Sequence, residues 1–263
     1  MKKSILITGS TDGIGKLAAI KLAHEGHHLY LHGRNPGKLS LVISEVKQLS
    51  KNDNIRGFLA DFSDLSSVRK MANEVKDALP KLDVLINNAG IFKSSITHNQ
   101  AGIDIRFLVN YLAPYLLTHA LLPLLEKGED TRIINLSSAA QAAVSYEAFR
   151  GKEQLSSQEA YAQSKLAITM WSTYLAKKLD NISVIALNPG SLLNTKMVQE
   201  AYGHHWSSAD KGANIIYDLA TSEDYQAASG KYYDNDQGGF GQAHPDAYSD
   251  RKIEKLILET EAI

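Results

Sequence analysis

Short apolar runs alternate with longer amphipathic stretches along most of the chain. The apolar runs, typical of strands buried on both faces, lie at 4–8, 28–32, 55–59, 84–86, 132–136 and 183–187. Apolar residues recur at helical spacing over 14–25, 36–50, 103–126 and 158–179, and over a stretch that begins at a Ser63 cap and ends near residue 79. This alternation predicts an α/β fold, a doubly wound parallel sheet with helices on both faces.

The composition is that of an ordinary globular protein, with 44% hydrophobic and 22% charged residues. The 28 Lys and Arg residues nearly balance the 29 Asp and Glu residues, which argues against a general nucleic-acid binder. The chain has no cysteine, so disulfides, thiolate nucleophiles, iron–sulfur clusters and cysteine zinc sites are excluded. No linker or internal repeat divides the sequence, and residues 1–263 are predicted to form one domain.

No stretch of the sequence is predicted to span a membrane. The most apolar one, at 111–125, is interrupted by Pro114, His119 and Pro123 and falls short of about 20 apolar residues. The amino-terminal apolar run covers only 5–7, too short for a secretory signal. We therefore expect a cytoplasmic protein. The segment from Gly230 onward is expected to be irregular apart from a short strand near Tyr232.

A glycine-rich turn, TGSTDGIG at 8–15, lies between the first predicted strand and the first predicted helix. Glycines there let the backbone turn tightly and approach a pyrophosphate, while the start of the helix offers free amide groups. The spacing differs from the common G-x-G-x-x-G pattern. The motif alone is therefore a weak indication of nucleotide binding, and it could be a plain connecting turn.

Three further motifs follow in order: NNAG at 87–90, YAQSK at 161–165 and NPG at 188–190. Together with TGSTDGIG they resemble the short-chain dehydrogenase/reductase superfamily. VNYLAPYLLT at 109–118, RIINLSSAA and AYAQSKLA resemble its retinol-dehydrogenase-like and protochlorophyllide-reductase-like branch. The resemblance implies a Rossmann-type fold, with a cofactor half at about 1–135 and a catalytic and substrate half at about 136–263.

Tyr161 and Lys165 are four residues apart on a predicted helix and therefore share one face. A phenol has a pKa of about 10, and a nearby ammonium group favours its ionised form. The resemblance implies that Tyr161 is the acid/base and that Lys165 also holds the nicotinamide ribose. It implies that Ser138 polarises the substrate oxygen, with the adjacent Ser137 as the alternative. Asn110 matches the asparagine that holds a water in a proton relay, or else bonds its own helix backbone.

The end of the second strand bears on the choice of nicotinamide cofactor. Gly33 stands where an acidic residue would bond the ribose of NAD(H), and Arg34 follows, suited to pair with a 2′-phosphate. NADP(H) is therefore favoured over NAD(H), although Asp12 stands where many NADP(H)-using relatives carry a basic residue. The resemblance implies that the cofactor-binding residues are Gly9, Ser10, Thr11, Asp12, Gly13, Ile14, Gly15, Arg34, Asp61, Phe62, Asn87, Ala89, Gly90, Tyr161, Lys165, Pro189, Gly190 and Thr195. Asn194 is the alternative to Thr195.

Three other segments carry weaker expectations. The stretch 145–157 is predicted to form an excursion near the substrate mouth, or else a plain surface loop. His204 and His205 lie where relatives have a mobile lid, or else in a connector. The resemblance implies a homo-oligomer formed through the helices at 103–126 and 158–179. The histidines at 24, 27, 28 and 32 lack a carboxylate cluster, so no metal site is expected.

These observations predict an NADP(H)-dependent oxidoreductase that interconverts a carbonyl and an alcohol of a small molecule by hydride transfer. The substrate is not identified by the sequence. The alternative is a non-catalytic nicotinamide-nucleotide sensor or scaffold on the same fold. Such binders tend to lose the tyrosine or the lysine, and both are present here. A carbon–carbon double-bond reductase ranks low, because that branch relies on a cysteine near its pigment site.

Overall fold

The computed structural model describes the backbone of residues 1–263 and every side chain except that of Tyr202. Over the described residues 1–263, eight strands form one sheet in the order β3-β2-β1-β4-β5-β6-β7-β8. They are β1 Ser4–Ile7, β2 His28–Gly33, β3 Ile55–Leu59, β4 Val84–Asn87, β5 Thr131–Leu136, β6 Ile182–Asn188, β7 Tyr232–Asp234 and β8 Gly239–Gly241. Strands β1 to β7 pair in parallel and β8 is antiparallel to β7. The predicted doubly wound sheet is confirmed, and its strand order reverses between β1 and β4, where such sheets bind ligands.

Helices cover both faces of the sheet. They are α1 Gly13–His24, α2 Pro36–Ser50, α3 Leu65–Ala78, α4 Ile105–Leu125, α5 Tyr146–Phe149, α6 Ser157–Lys178, α7 Lys196–Tyr202, α8 Ala209–Thr221 and α9 Asp250–Glu261. Helices α1, α2 and α8 share one hydrophobic core with the sheet, and α3, α4, α6 and α9 share the other. This division follows from the strands, whose side chains alternate between the two faces. Leu6 and Ile133 lie in one core, whereas Ile5, Ile7 and Ile134 lie in the other.

Helix α4 is longer than the apolar stretch identified in the sequence. It runs without a break for 21 residues, and by length and composition it is apolar enough to cross a membrane. In the fold, 67% of the most apolar 18-residue stretch of α4 is buried. The helix packs between the sheet, α3 and α6. The core helix of a globular protein can be equally long and apolar. The burial of α4 is therefore enough to explain its apolar composition.

The cap of helix α3 differs from the expected one. Asp64, not Ser63, caps the helix, because Asp64 Oδ1 accepts a hydrogen bond from Ser66 N at 2.9 Å. Ser63 bonds backwards instead, since its amide and hydroxyl both donate to Asp61 Oδ1, at 2.9 and 2.7 Å. An Asp side chain is at least as good a helix cap as Ser. The interaction also fixes Asp61, one of the predicted cofactor-binding residues, just after β3.

The carboxyl-terminal segment is more regular than expected. The predicted strand near Tyr232 is present as β7, but the sequence reasoning missed β8 and helix α9. Helix α9 buries Ile253, Leu256 and Ile257 in the core shared by α4 and α6. These apolar residues recur at helical spacing, which is a signal that the sequence contained.

Candidate active site

Helix α1 begins at a glycine turn that packs on the turn following β4. Asp12 caps the helix, because its Oδ1 accepts a hydrogen bond from Gly13 N at 2.8 Å. Gly9 has a φ of +63°, and a Cβ there would lie 2.7 Å from Ala89 Cα. Any larger residue would meet this backbone, so the approach requires glycine. The turn presents the first amide groups of α1, which have no partner inside the helix, to an anion.

Asn88 holds the two turns together. Its Nδ2 donates to Thr8 O at 2.8 Å and to Gly9 O at 3.0 Å, and Thr8 Oγ1 accepts from Asn88 N at 2.9 Å. A Cβ at Gly15 would lie 2.3 Å from Asn88 Nδ2. The sequence reasoning assigned no role to Asn88, although its place in the NNAG motif was a signal.

The side chain of Asn87 is turned away from the cleft, and the contact of this residue with a cofactor stays a prediction for its backbone. It is 1% exposed, and its Nδ2 donates to Asn135 Oδ1 at 2.8 Å and to Thr118 Oγ1 at 3.0 Å. The reason is strand alternation, which turns Asn87 into the core between the sheet and α4. Only the backbone of Asn87 is left to contact a ligand at this edge of the sheet.

The side chains of Ser10 and Phe62 are also turned inwards, so the predicted contact of these two residues with a cofactor would have to come from their backbone. Ser10 is fully buried and its Oγ accepts from His32 N at 2.9 Å. Phe62 is buried and stacks on the His32 ring, with 4.2 Å between centroids. Burial lowers the pKa of His32 to about 4, so the neutral ring accepts from Gly9 N through Nδ1 and lies 3.0 Å from Ala60 O through Nε2. His32 thus supports the glycine turn.

The end of β2 leaves little room for a side chain at position 33. A Cβ at Gly33 would lie 2.4 Å from Thr11 Cγ2, so Thr11 occupies the place of an acidic residue. Arg34 is exposed, and within the described residues its guanidinium has no ion-pair or hydrogen-bond partner. Lys38 Nζ lies 2.6 Å from Asp12 Oδ2. Burial would raise the pKa of Asp12, but its bonds to Lys38 and Gly13 outweigh that effect and hold it below the ordinary value.

The segment after β6 lies across the start of α1. A Cβ at Gly13 would be 3.5 Å from Thr195 Cγ2. Thr195 caps α7, whereas Asn194 is exposed and its backbone amide donates to Ser207 O at 2.8 Å. Ile14 is half-buried and faces helix α8, since a Cβ at Gly212 would lie 3.0 Å from its Cγ2. The described geometry therefore places Thr195, of the two alternatives, beside the glycine turn.

The turn after β7 holds the turn after β6. Asn235 Nδ2 donates to Pro189 O at 2.9 Å. Asp236 accepts from Ser191 N at 2.8 Å and from Ser191 Oγ at 2.6 Å. The pairing fixes Gly190, which has a φ of +115°. Asn235 and Asp236 were not predicted, because more than 40 residues of sequence separate them from their partners.

Lys165 is fully buried behind Tyr161. Its Nζ donates to Leu136 O at 2.7 Å and lies 5.7 Å from the centroid of the Tyr161 ring. A Cβ at Gly90 would be 3.5 Å from the same Nζ, so Gly90 lies directly against the amine. Burial lowers the pKa of Lys165 to about 8. The half-buried Tyr161 ring meets Phe92 edge-on, with centroids 5.0 Å apart.

Asn110 lies at the centre of a five-residue π-helical turn, Leu108–Leu112, within α4. Its Oδ1 accepts from Ile91 N at 2.8 Å, while its Nδ2 donates to Ile91 O at 3.1 Å and to Ser164 Oγ at 3.0 Å. Asn110 therefore joins α4 to α6 and to the segment after β4, not to its own helix backbone. Such π-turns are frequent at functional sites.

Ser137 and Ser138 have different surroundings. Ser137 is buried, its Oγ lies 2.6 Å from Thr169 Oγ1, and it donates to Lys165 O at 3.2 Å. Ser138 is half-buried and its Oγ accepts from Ala140 N at 3.1 Å, which leaves the hydroxyl proton available. Of the two serines, Ser138 is therefore the one that a substrate oxygen can reach.

Two residues that sequence reasoning missed hold the Ser138 backbone. Tyr232 donates its hydroxyl to Ser138 O at 3.0 Å, and Gln141 Nε2 donates to the same oxygen at 2.8 Å. Burial raises the pKa of Tyr232, which keeps its hydroxyl a donor. No local signal marks Tyr232, because only the pairing of β6 with β7 brings it to Ser138. The carboxyl ends of the strands thus bring together Gly9, Thr11, Asp12, Gly13, Gly15, Asp61, Ala89, Gly90, Ser138, Pro189, Gly190 and Thr195.

This arrangement coincides with a known family. The protein-family model described as short chain dehydrogenase matches residues 3–205 of this chain. The chain belongs to the short-chain dehydrogenase family. It is 32% identical over 243 residues to retinol dehydrogenase 12 of Mus musculus, a match that covers 88% of this chain and 77% of that protein. The predicted resemblance to the superfamily and to its retinol-dehydrogenase-like branch is confirmed.

Two further proteins are similar to this short-chain dehydrogenase. One from Streptomyces sp. (strain C5), assigned as a daunorubicin C-13 ketoreductase, is 32% identical over 240 residues, covering 88% of this chain and 82% of that protein. The other is a solved structure from Escherichia coli CFT073, assigned as a short chain dehydrogenase and complexed with NADPH. It matches with a TM-score of 0.73 and 26% identity, covering 89% of this chain and 96% of that chain. The family membership makes this chain an oxidoreductase.

The excursion of this short-chain dehydrogenase is packed rather than a plain surface loop. Phe149 is fully buried, and Arg150 pairs with Glu259 of α9. A Cβ at Gly102 would lie 2.8 Å from Gly151 O, so the excursion touches the segment that follows β4. Its predicted place near the substrate mouth stays a prediction.

Other predictions about the short-chain dehydrogenase stay open. Trp206 lies beside His204 and is 71% exposed, and Gln199 Nε2 contacts His205 Nδ1. That His204 and His205 belong to a mobile lid stays a prediction. Helix α9 covers part of the faces of α4 and α6 expected to form an oligomer, for example where Tyr111 meets Thr260. No group of three or more His, Asp or Glu that could hold a metal is found among the described residues.

Proposed function

We propose that this short-chain dehydrogenase uses NADPH to reduce a carbonyl group to an alcohol, with Tyr161 as the proton donor. The observation that carries the proposal is the placement of Lys165, whose Nζ lies 5.7 Å from the Tyr161 ring and donates to Leu136 O. The half-buried Ser138 follows Leu136 by two residues, and Asn110 ties α4 to the helix that carries Tyr161 and Lys165. A non-catalytic nucleotide sensor would not need this set. Reduction is also the direction named for the Streptomyces relative.

The residues of the cleft fit a nicotinamide nucleotide. Gly9 brings the glycine turn against Ala89, and Gly90 lies against the Lys165 amine, so both turns hold their backbone at the edge of the sheet where a pyrophosphate and a ribose would bind. The amide groups at the start of α1 would hold the pyrophosphate, and Lys165 would hold the nicotinamide ribose. When bound, the nicotinamide supplies the hydride.

The side chains of this chain manage the proton and the charge. Ser138 donates a hydrogen bond to the substrate carbonyl oxygen and polarises it. Tyr161 transfers its hydroxyl proton to that oxygen as negative charge develops. The Lys165 ammonium, close to the Tyr161 ring, stabilises the resulting phenolate. Asn110 fixes α4 against α6, the helix that carries both Tyr161 and Lys165.

Arg34 and Lys38 favour NADP(H) over NAD(H). Both cations lie at the end of β2, where the 2′-phosphate of NADP(H) is expected. Lys38 already holds the Asp12 carboxylate, so Asp12 does not present an unbalanced negative charge to the phosphate. Thr11 excludes an acidic side chain at position 33. The pairing of Asp12 with Lys38 thus supports a preference for NADP(H) despite the acidic side chain at position 12.

Calorimetric titration with NADPH and NADH tests the cofactor, on the wild type, on Arg34→Ala and on the control Arg251→Ala, which removes an exposed arginine of α9. NADPH is expected to bind at least tenfold more tightly than NADH. Arg34→Ala should remove most of that difference, about 1.4 kcal/mol or more, and Arg251→Ala none of it. Equal binding of the two nucleotides to the wild type would contradict the NADP(H) preference.

Reduction itself is tested by following NADPH absorbance at 340 nm with all-trans-retinaldehyde and with an aromatic ketone. Turnover that is lost in Tyr161→Phe supports the enzyme. Tight NADPH binding without turnover of any carbonyl in a wide panel would favour the sensor. Absence of nucleotide binding would overturn both proposals.

A further inference from the structure

Arg106 is a fully buried arginine one helical turn before Asn110 on α4. It is 1% exposed. Its Nη1 donates to both carboxylate oxygens of Asp104, at 3.0 and 2.9 Å, and its Nε donates to Phe92 O at 2.7 Å. Its Nη2 donates to Ser157 Oγ at 2.5 Å. The guanidinium therefore joins the segment after β4, the start of α4 and the first residue of α6.

These contacts repeat the pattern that Asn110 makes one turn further along α4. Asn110 is hydrogen-bonded to the backbone N and O atoms of Ile91 and to Ser164 of α6. Arg106 holds the next residue, Phe92, and reaches Ser157 of α6. Residues four apart on a helix share one face. Two consecutive residues of the segment after β4 are thus fixed to the Tyr161 helix from one face of α4.

Stability alone does not explain a buried ion pair in this place. Removing two charges from water is costly, and apolar residues of similar volume often stabilise a protein as well or better. A guanidinium fork, however, fixes the direction of its acceptors. Here one acceptor is the carbonyl of Phe92, whose ring packs edge-on against Tyr161.

We infer that Arg106, balanced by Asp104, is a positioning residue that seats the Phe92 ring against Tyr161 and so orients the acid/base for an apolar carbonyl substrate. The inference rests on the proposed function of Tyr161. Arg106 itself does not reach the cleft, because all of its described contacts are with Asp104, Phe92 and Ser157. Loss of the fork would let the segment after β4 move and turn the Phe92 ring away.

A matched control exists at the opposite end of the sheet. Arg132 is also fully buried and also pairs with an aspartate two residues before it, Asp130, at 2.7 Å. Its Nη1 donates to the carbonyls of Leu219 and Ser222, at 2.8 and 2.7 Å. Arg132→Gln therefore disrupts a comparable ion pair far from Tyr161.

Kinetics and unfolding are measured for Arg106→Gln and Arg132→Gln. Both variants should lower the denaturant midpoint. Only Arg106→Gln should lower kcat for reduction of all-trans-retinaldehyde, by at least tenfold, while its NADPH Kd stays within twofold of the wild type. Equal losses of kcat in the two variants would overturn the inference.

A double variant separates positioning from stability. Asp104→Asn with Arg106→Met removes both charges, and an asparagine can still cap α4. We expect the midpoint to recover toward the wild type while kcat stays low. Recovery of both quantities would mean that Arg106 is only structural. This variant carries the test if Arg106→Gln does not fold.

A readout without turnover uses tyrosine labelled with ¹³C at Cζ, with the Tyr161 NMR signal assigned through Tyr161→Phe. Arg106→Gln, the double variant and Phe92→Leu should shift this signal in the same direction, and Arg132→Gln should not. An unmoved Tyr161 signal in all three would overturn the inference. If the wild type neither binds NADPH nor reduces a carbonyl, the proposed function fails, and the NMR comparison still decides whether Arg106 positions Phe92 on Tyr161.

Discussion

At the amino-terminal end of the sheet buried charges meet opposite charges, whereas at the carboxyl-terminal end Lys165 and Arg34 have no carboxylate partner among the described residues. Asp83 is buried and lies 3.2 Å from Lys81, and Asp130 pairs with both Lys3 and Arg132. Paired charges of this kind fix strands and helix ends in place. They leave no bonding capacity for a ligand.

The carboxyl-terminal end keeps such capacity open. Lys165 is buried with the carbonyl of Leu136 as its hydrogen-bond acceptor, and Arg34 is exposed at the end of β2. Among the residues that the structure describes, no carboxylate pairs with either cation. Polar groups that a fold leaves unmatched in a cleft indicate where a ligand completes the bonding. The contrast between the two ends therefore locates the site independently of any motif.

The largest expected effect is that of Tyr161→Phe, which removes the proposed proton donor and keeps the aromatic ring. We expect kcat for carbonyl reduction to fall about 10³-fold, with NADPH affinity unchanged within threefold. Tyr174→Phe, on the same helix, is the control and should retain activity. Steady-state kinetics and calorimetry check both variants, and more than a tenth of wild-type turnover in Tyr161→Phe would assign the proton to another group.

The two adjacent serines should separate kinetics from stability. Ser138→Ala is expected to lower kcat about 10²-fold, because the polarising donor is lost. Ser137→Ala should leave kcat nearly unchanged and lower the free energy of unfolding by about 1 kcal/mol, because Thr169 loses a buried partner. Kinetics and chemical denaturation of both variants decide this, and the opposite pattern would give Ser137 the role of the polariser.

Two lysine substitutions should change stability with opposite signs. Lys165→Met relieves a buried unpaired ammonium and is expected to raise the free energy of unfolding at pH 7 by about 1–3 kcal/mol, while it abolishes reduction. Lys3→Met breaks the pair with Asp130 and should lower the free energy of unfolding by about 1 kcal/mol. Denaturation curves of the two variants check the signs, and a destabilised Lys165→Met would mean that the amine supports the fold.

The same lysine gives the wild type a defined pH dependence. The pKa of Lys165 is lowered to about 8 in the fold, and it is about 10.4 in an unfolded chain. Between these values the unfolded chain binds the additional proton, so this contribution raises stability as the pH increases from about 8 to about 10.4. In Lys165→Met that rise should be absent.

The sequence predicted the repeating elements well, because apolar periodicity and helix caps are local properties. The strands at 4–8 and 132–136 and the helix at 36–50 lie within about one residue of their observed bounds. Helix α6 begins at Ser157 because Ser156 and Glu159 form a capping box. Helix α9 was not predicted despite its apolar spacing, because the glycine-rich segment before it is typical of irregular structure.

Contacts across the sequence were beyond local patterns. Asn87 and Phe62 occupy motif positions, yet strand alternation and packing turn their side chains into the interior. Asn235 and Tyr232 hold the turns that carry Pro189 and Ser138, and only the pairing of β7 with β6 brings them there.

The sequence by itself determined the fold class, the order of the elements and the candidates Tyr161 and Lys165, because these follow from local periodicity and motif spacing. The tertiary structure decided which side chains reach the cleft. It buried Lys165 without a carboxylate, engaged Ser137 and left Ser138 accessible, and placed Arg106 between Phe92 and α6. Burial, charge pairing and the direction of a side chain depend on neighbours that are distant in the chain, so they exist only after the sheet has formed.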